Sequence, residues 1–98
     1  MFVRVWKYRV HLEYVDAFER AYGPEGDWAL LFDRSPGFEG TRLFRDCSDG
    51  AIFVTVDTWS DKSHWDLFIG RWKTEYYRLD ETLAYLTIED YELLTEQT

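Results

Sequence analysis

The carboxylate of Asp57, the phenols of Tyr8 and Tyr76 and the imidazoles of His11 and His64 are the side chains of this 98-residue chain best suited to proton transfer or ligand binding. Thr55, Asp57 and Trp59 are spaced by two in a run rich in β-branched residues, so they share one face of a strand. Trp6 and Tyr8 share the matching face of the first strand. A carboxylate turned into an apolar layer has a raised pKa and can act as a base, whereas one near a sheet end can equally be paired or wet. Arg4, on the same nominal face, is the expected ion-pair partner of Asp57. Buried phenols need partners, so Tyr8 and Tyr76 either meet a ligand oxygen or reach solvent or backbone. His11 and His64 lie far apart without ligand-like spacing, which suits surface positions better than a metal site. His64 is the better catalytic candidate because it adjoins Trp65 at the start of a helix. Cys47 falls in a turn with no neighbouring histidine to activate it.

The elements that must position these groups are legible from periodicity. Phe2 to Val10 reads as a strand, with Phe2, Trp6, Tyr8 and Val10 on one face and Val3, Val5, Lys7 and Arg9 on the other. Glu13 to Tyr22 reads as a helix ended by Gly23-Pro24, and a second short helix carries Trp28, Leu31 and Phe32 behind a possible Asp27 cap. Phe38 to Asp46 and Ala51 to Trp59 form a hairpin, whose Asp49-Gly50 step favours a tight turn. Ser60 or Asp61 then caps a long helix in which Trp65, Phe68, Ile69, Trp72, Tyr76, Leu79, Leu83 and Leu86 recur every three or four residues, with Gly70 as the expected kink. Thr87 to Thr95 closes residues 1–98 as a single domain. The order is strand, helix, strand, strand, helix, strand.

A four-stranded sheet built in this order carries helices on one face only. Its other face bears Val3, Val5, Ile52, Val54 and Val56, and burying a few hundred Å² there at about 25 cal/mol/Å² is worth several kcal/mol. A second copy of the same face can supply that cover, which predicts a homodimer of facing sheets. Composition agrees: 19% aromatic content exceeds what one small core needs, so a subunit interface or an aromatic-lined pocket must absorb the excess. A net charge of −8 without a basic cluster disfavours nucleic acid and anionic membranes. A single cysteine rules out an internal disulfide and suits the cytoplasm, and the N-terminal residues form neither a signal peptide nor a membrane span. Gly37 and Gly40 precede a strand instead of opening a helix, so no dinucleotide or phosphate loop is present, and no metal or other cofactor is expected.

The start Val3-Arg4-Val5-Trp6-Lys7-Tyr8-Arg9-Val10, the Ser35-Pro36-Gly37-Phe38-Glu39-Gly40 lead into the hairpin, and Trp59-Ser60-Asp61 before an aromatic helix together resemble the antibiotic biosynthesis monooxygenase family. Ala21-Tyr22-Gly23-Pro24-Glu25-Gly26-Asp27-Trp28 looks like the signature of a bacterial subgroup. The resemblance implies an α+β, ferredoxin-like βαββαβ domain with a four-stranded antiparallel sheet, dimerising into an α/β barrel. It also implies a cofactor-independent monooxygenase in which an electron-rich substrate anion reduces dioxygen, so that the protein need only bind, orient and deprotonate. The family's pocket tryptophan falls on Trp59, its asparagine position holds Thr55 and its tyrosine position holds Trp65. In the haem-degrading branch the iron-binding histidine position holds Arg78, which leaves no axial ligand. The expected site therefore has Asp57, Tyr8 and His64 as catalytic candidates, with Trp6, Thr55, Trp59, Trp65, Phe68, Trp72 and Tyr76 around a small planar aromatic or quinone-like substrate. The alternative is a non-catalytic dimer of the same fold that binds such a ligand or serves as an interaction module, its aromatic stripe simply filling the space between helix and sheet.

Overall fold

The computed structural model describes residues 1–97. Its strands are β1 (Phe2–Val10), β2 (Phe38–Arg45), β3 (Ile52–Trp59) and β4 (Thr87–Gln97), and its helices α1 (Val15–Tyr22), α2 (Asp27–Phe32) and α3 (Lys62–Leu83). The sheet runs β2-β3-β1-β4 with antiparallel neighbours, which is the expected ferredoxin-like βαββαβ arrangement. Register sets the working face: Arg4 pairs with Asp57, Trp6 with Thr55 and Tyr8 with Phe53. Helices pack on that face, and Val10, Phe18, Phe53, Trp59, Phe68 and Leu86 fill the space between the layers almost without solvent contact. The opposite face pairs Val5 with Val56 and with Leu94, and carries Phe44 beside Val54 and Tyr91 beside Lys7. Phe44, Tyr91 and Leu94 are exposed there, while Ile52, expected on the same open surface, is buried.

Four local expectations change. The first helix begins later, because Leu12–Tyr14 forms a 3-10 turn before α1. Gly26, not Asp27, is the N-cap of α2. A Cβ at position 26 would lie 2.3 Å from the Arg20 carbonyl oxygen and 2.4 Å from that of Ala21, so the close approach of α1 and α2 admits glycine alone. The hairpin turn is wider than an Asp-Gly turn, and Gly50 does not take a positive φ. Asp46 instead organises it, its Oδ2 accepting from Ser48 N at 2.9 Å and Asp49 N at 2.8 Å.

The helix break falls at Trp72 (φ −112°, ψ 18°), two residues beyond Gly70. It re-aims α3, whose first half sets Trp65 and Phe68 on Trp59 and whose second half sets Tyr76 on Trp28. Gly70 is exposed, and a Cβ there would meet nothing within 4 Å. Gly70→Ala should therefore raise stability by about 0.5–1 kcal/mol, readable as an increased denaturation midpoint at unchanged slope.

Candidate functional site

The alternation of β1 and β3 delivers Arg4, Trp6, Tyr8, Thr55 and Asp57 to the underside of the helical layer. There they line a cavity of about 40 Å³ together with Thr41 of β2, Tyr22 of α1, Trp28 and Phe32 of α2, Tyr76 and Asp80 of α3 and Asp90 of β4. Such a volume holds a few water molecules at roughly 10–15 Å³ each.

Asp57 lies at its polar end. Thr41 Oγ1 donates to Asp57 Oδ1 at 2.7 Å, a pairing set by the β2–β3 register. Asp57 keeps some surface exposure, yet protein surrounds it closely enough that desolvation raises its pKa from 3.8 to about 6, against the opposing Thr41 hydrogen bond and Arg4 charge. The expected Arg4–Asp57 ion pair is replaced: Arg4 Nε donates to Glu92 Oε2 of β4 at 2.7 Å, and its guanidinium stacks 4.2 Å above the Trp65 ring. Arg4 thus acts on Asp57 through its field alone. Tyr8 Oη and Thr55 Oγ1 share a buried hydrogen bond of 3.1 Å. Burial drives the Tyr8 phenol well above its usual range, the Tyr22 phenol to about 12, and the Tyr76 phenol upward despite the adjacent Arg4 charge. All three phenols stay protonated near neutrality and can donate.

Trp28 is 8% exposed, and its Nε1–H, like those of Trp59 and Trp72, makes no well-formed hydrogen bond among the described residues. The indole nitrogen lies near enough to the Tyr22 hydroxyl to favour that phenol's anion. At the mouth, desolvation and the charge of Asp80 raise the pKa of Asp90.

Of the residues singled out from the sequence, Tyr8, Thr55, Asp57, Trp6 and Tyr76 meet at this cavity. Trp59, Trp65 and Phe68 instead pack against one another, with ring centroids 5.4–5.6 Å apart, and Trp72 lies between Arg34 and Arg71, so none of these four reaches the cavity wall. His64 also sits outside it. Its Nδ1 lies 2.7 Å from Asp61 Oδ1 and 3.1 Å from Ser60 Oγ, so both neighbours compete for one nitrogen and no Ser-His-Asp relay forms. The cluster serves the start of α3, where Asp61 Oδ1 accepts from His64 N at 3.0 Å. Among the described residues no group of three or more His, Cys, Asp or Glu side chains is arranged to hold a metal.

Sequence reasoning missed Tyr22, Trp28, Phe32, Thr41, Asp80 and Asp90 as lining residues. Thr41 was within reach, because pairing β2 with β3 across the hairpin places it opposite Asp57. Asp80 and Asp90 carry no local signal, since both look like members of solvated acidic faces.

No protein-family model matches the chain, and no curated protein matches it. Solved structures do. The chain is similar to a protein of Nitrosomonas europaea named as an antibiotic biosynthesis monooxygenase, at 16% identity and TM-score 0.70, covering 100% of this chain and 98% of that one. A Deinococcus radiodurans protein of the same description gives TM-score 0.78 at 10% identity, covering 100% and 92% of the two chains. SnoaB of Streptomyces nogalater, described as a cofactor-independent oxygenase, gives TM-score 0.67 at 22% identity over 99% of this chain and 94% of that one. At these identities the likeness establishes a shared fold, in line with the resemblance carried by the sequence motifs.

Proposed function

We propose that the protein is a cofactor-independent monooxygenase acting on a small planar aromatic or quinone-like substrate, working as a cytoplasmic homodimer. The observation that carries this reading is Asp57: a carboxylate with a pKa of about 6, walled by aromatic rings and flanked by protonated phenols, is a base suited to neutral pH. SnoaB, which shares the fold, lends support as an oxygenase that needs no cofactor.

For a substrate with an acidic CH₂ beside an aromatic carbonyl, the steps balance as follows. Asp57 takes one proton, and the resulting carbanion gives an electron to dioxygen and couples with it as a carbon–oxygen bond. The peroxide anion takes the proton back from Asp57. Loss of the second C–H proton then breaks the O–O bond, leaving a new C=O and one water. Arg4, the phenols of Tyr8 and Tyr76, and the enclosing rings stabilise the substrate anion.

A non-catalytic binding or interaction dimer is favoured by one observation, the cavity volume of about 40 Å³. That is small beside the roughly 150 Å³ void that admits benzene, so an aromatic substrate requires α2 or α3 to move outward. An oxygen electrode distinguishes the two readings. Uptake with an anthrone or hydroquinone should proceed without added flavin or metal and fall about tenfold or more in Tyr8→Phe, which loses the buried Tyr8 hydroxyl. Binding of these compounds with uptake held at the uncatalysed rate would select the non-catalytic reading.

A further inference from the structure

We propose that Glu92 is a positioning residue for the base: it holds Arg4 away from Asp57, so that the carboxylate meets substrate unpaired. This rests on the reading of Asp57 as the base and adds what keeps it one. Arg4 lies directly opposite Asp57 in the β1–β3 register, both on the face that the helices cover. Side chains so placed have Cβ atoms about 4.5–5.5 Å apart, well within reach of an arginine–carboxylate pair. Such a pair lowers an aspartate pKa by about one to three units and leaves a weaker base. No ion pair or hydrogen bond joins the two here.

An irregularity in β4 supplies the reason. Val5 pairs with Leu94 and Trp6 with Glu92, so Leu93 is an extra residue in β4. In an unbroken ladder Leu93 would stand opposite Trp6, and Glu92 opposite Lys7 on the open side of the sheet. The bulge turns Glu92 to the side of Arg4 instead. There Glu92 Oε2 accepts from Arg4 Nε at 2.7 Å and from Thr95 Oγ1 at 2.9 Å, and Thr95 is the β4 partner of Arg4. Aromatic rings hold the same guanidinium, 4.2 Å from the centre of Trp65 and 5.4 Å from that of Trp6. Asp57 is left with the Thr41 hydroxyl as its hydrogen-bond partner. The other titratable groups lining the cavity are Tyr8 of β1, Tyr22 of α1, Tyr76 and Asp80 of α3 and Asp90 of β4, all phenols or further acids. Arg4 is therefore the one cation among the described lining residues, and its placement governs how basic Asp57 is.

Titration of the Asp57 carboxyl by carbon-13 NMR tests this without turnover, the resonance being identified by its loss in Asp57→Asn. The wild-type midpoint should lie at about 6. In Glu92→Ala the freed guanidinium should turn to Asp57 and lower the midpoint by at least about one unit, and the pH inflection of kcat/KM should move down with it. In an Arg4→Met background, Glu92→Ala should leave the midpoint where Arg4→Met alone puts it, because no cation remains to turn. The proposal is overturned if Glu92→Ala leaves the midpoint unchanged, or if the midpoint falls equally in both backgrounds, as a direct effect of the Glu92 charge would require. Should a variant misfold, the nitrogen-15 shift of Arg4 Nε in the wild-type protein decides. Its main step should follow Glu92, below about pH 4.5; a main step together with Asp57 would show Arg4 paired there and overturn the clamp. A wild-type Asp57 midpoint at the ordinary 3.8 removes the base reading beneath, whereas a midpoint at about 6 that ignores Glu92→Ala removes this inference alone.

Discussion

Asp57→Asn should yield a protein that is more stable than the wild type at pH 8, by up to about 3 kcal/mol, and nearly inactive. The carboxyl has a pKa of about 6 when folded against an ordinary 3.8, so the folded state holds its proton more tightly than the unfolded chain does. Stability from that protonated carboxyl is fully present below pH 3.8 and is lost as pH rises through about 6. At about 1.4 kcal/mol per pKa unit the ionised form costs the fold about 3 kcal/mol, an upper value because the cavity mouth admits some solvent. Asn carries no charge at any pH and can still accept from Thr41. Denaturation at pH 8 and again at pH 4 checks this: the gain should be present at the first and nearly absent at the second. In wild-type activity the same titration should appear as a rise of kcat/KM with an inflection near pH 6, and Asp57→Asn should lower it by about a hundredfold to ten-thousandfold. Equal stability at pH 8 would show that Asp57 is better solvated than its surroundings indicate. An intact pH profile in the variant would assign the base to another group.

Val54→Asp should convert a dimer into a folded monomer. Val54 sits half-buried between Lys7 and Phe44 on the sheet face that no helix covers, where Phe44, Tyr91 and Leu94 are exposed. In a monomer the new carboxylate faces water beside Lys7, so the fold itself should survive. Between two facing sheets it would be buried twice, once from each copy, at about 3–5 kcal/mol for each unpaired charge. Light scattering at micromolar concentration should give twice the chain mass for the wild type and the single mass for Val54→Asp, with unchanged far-ultraviolet circular dichroism. A wild-type protein that is monomeric under these conditions would rule out the facing-sheet dimer.

The sequence by itself determined the order of elements, the one-sided helical layer and the shared face of Trp6, Tyr8, Thr55 and Asp57, because each follows from side-chain alternation or helical periodicity within a single segment. It also placed an aromatic stripe on the long helix. Only the tertiary structure decided which of those rings meet the cavity: the break at Trp72 turns Trp65 and Phe68 into the core and brings Tyr76 to Trp28. Pairings between distant strands then set the electrostatics, giving Arg4 to Glu92 across β1 and β4 and Asp57 to Thr41 across β2 and β3. Asp80 and Asp90 show the same limit, being ordinary acids in their own segments that line one cavity only because α3 and β4 are brought together. Parity along a strand is a property of its own backbone, whereas the partner of a side chain depends on how separate elements pack, and no local pattern encodes that.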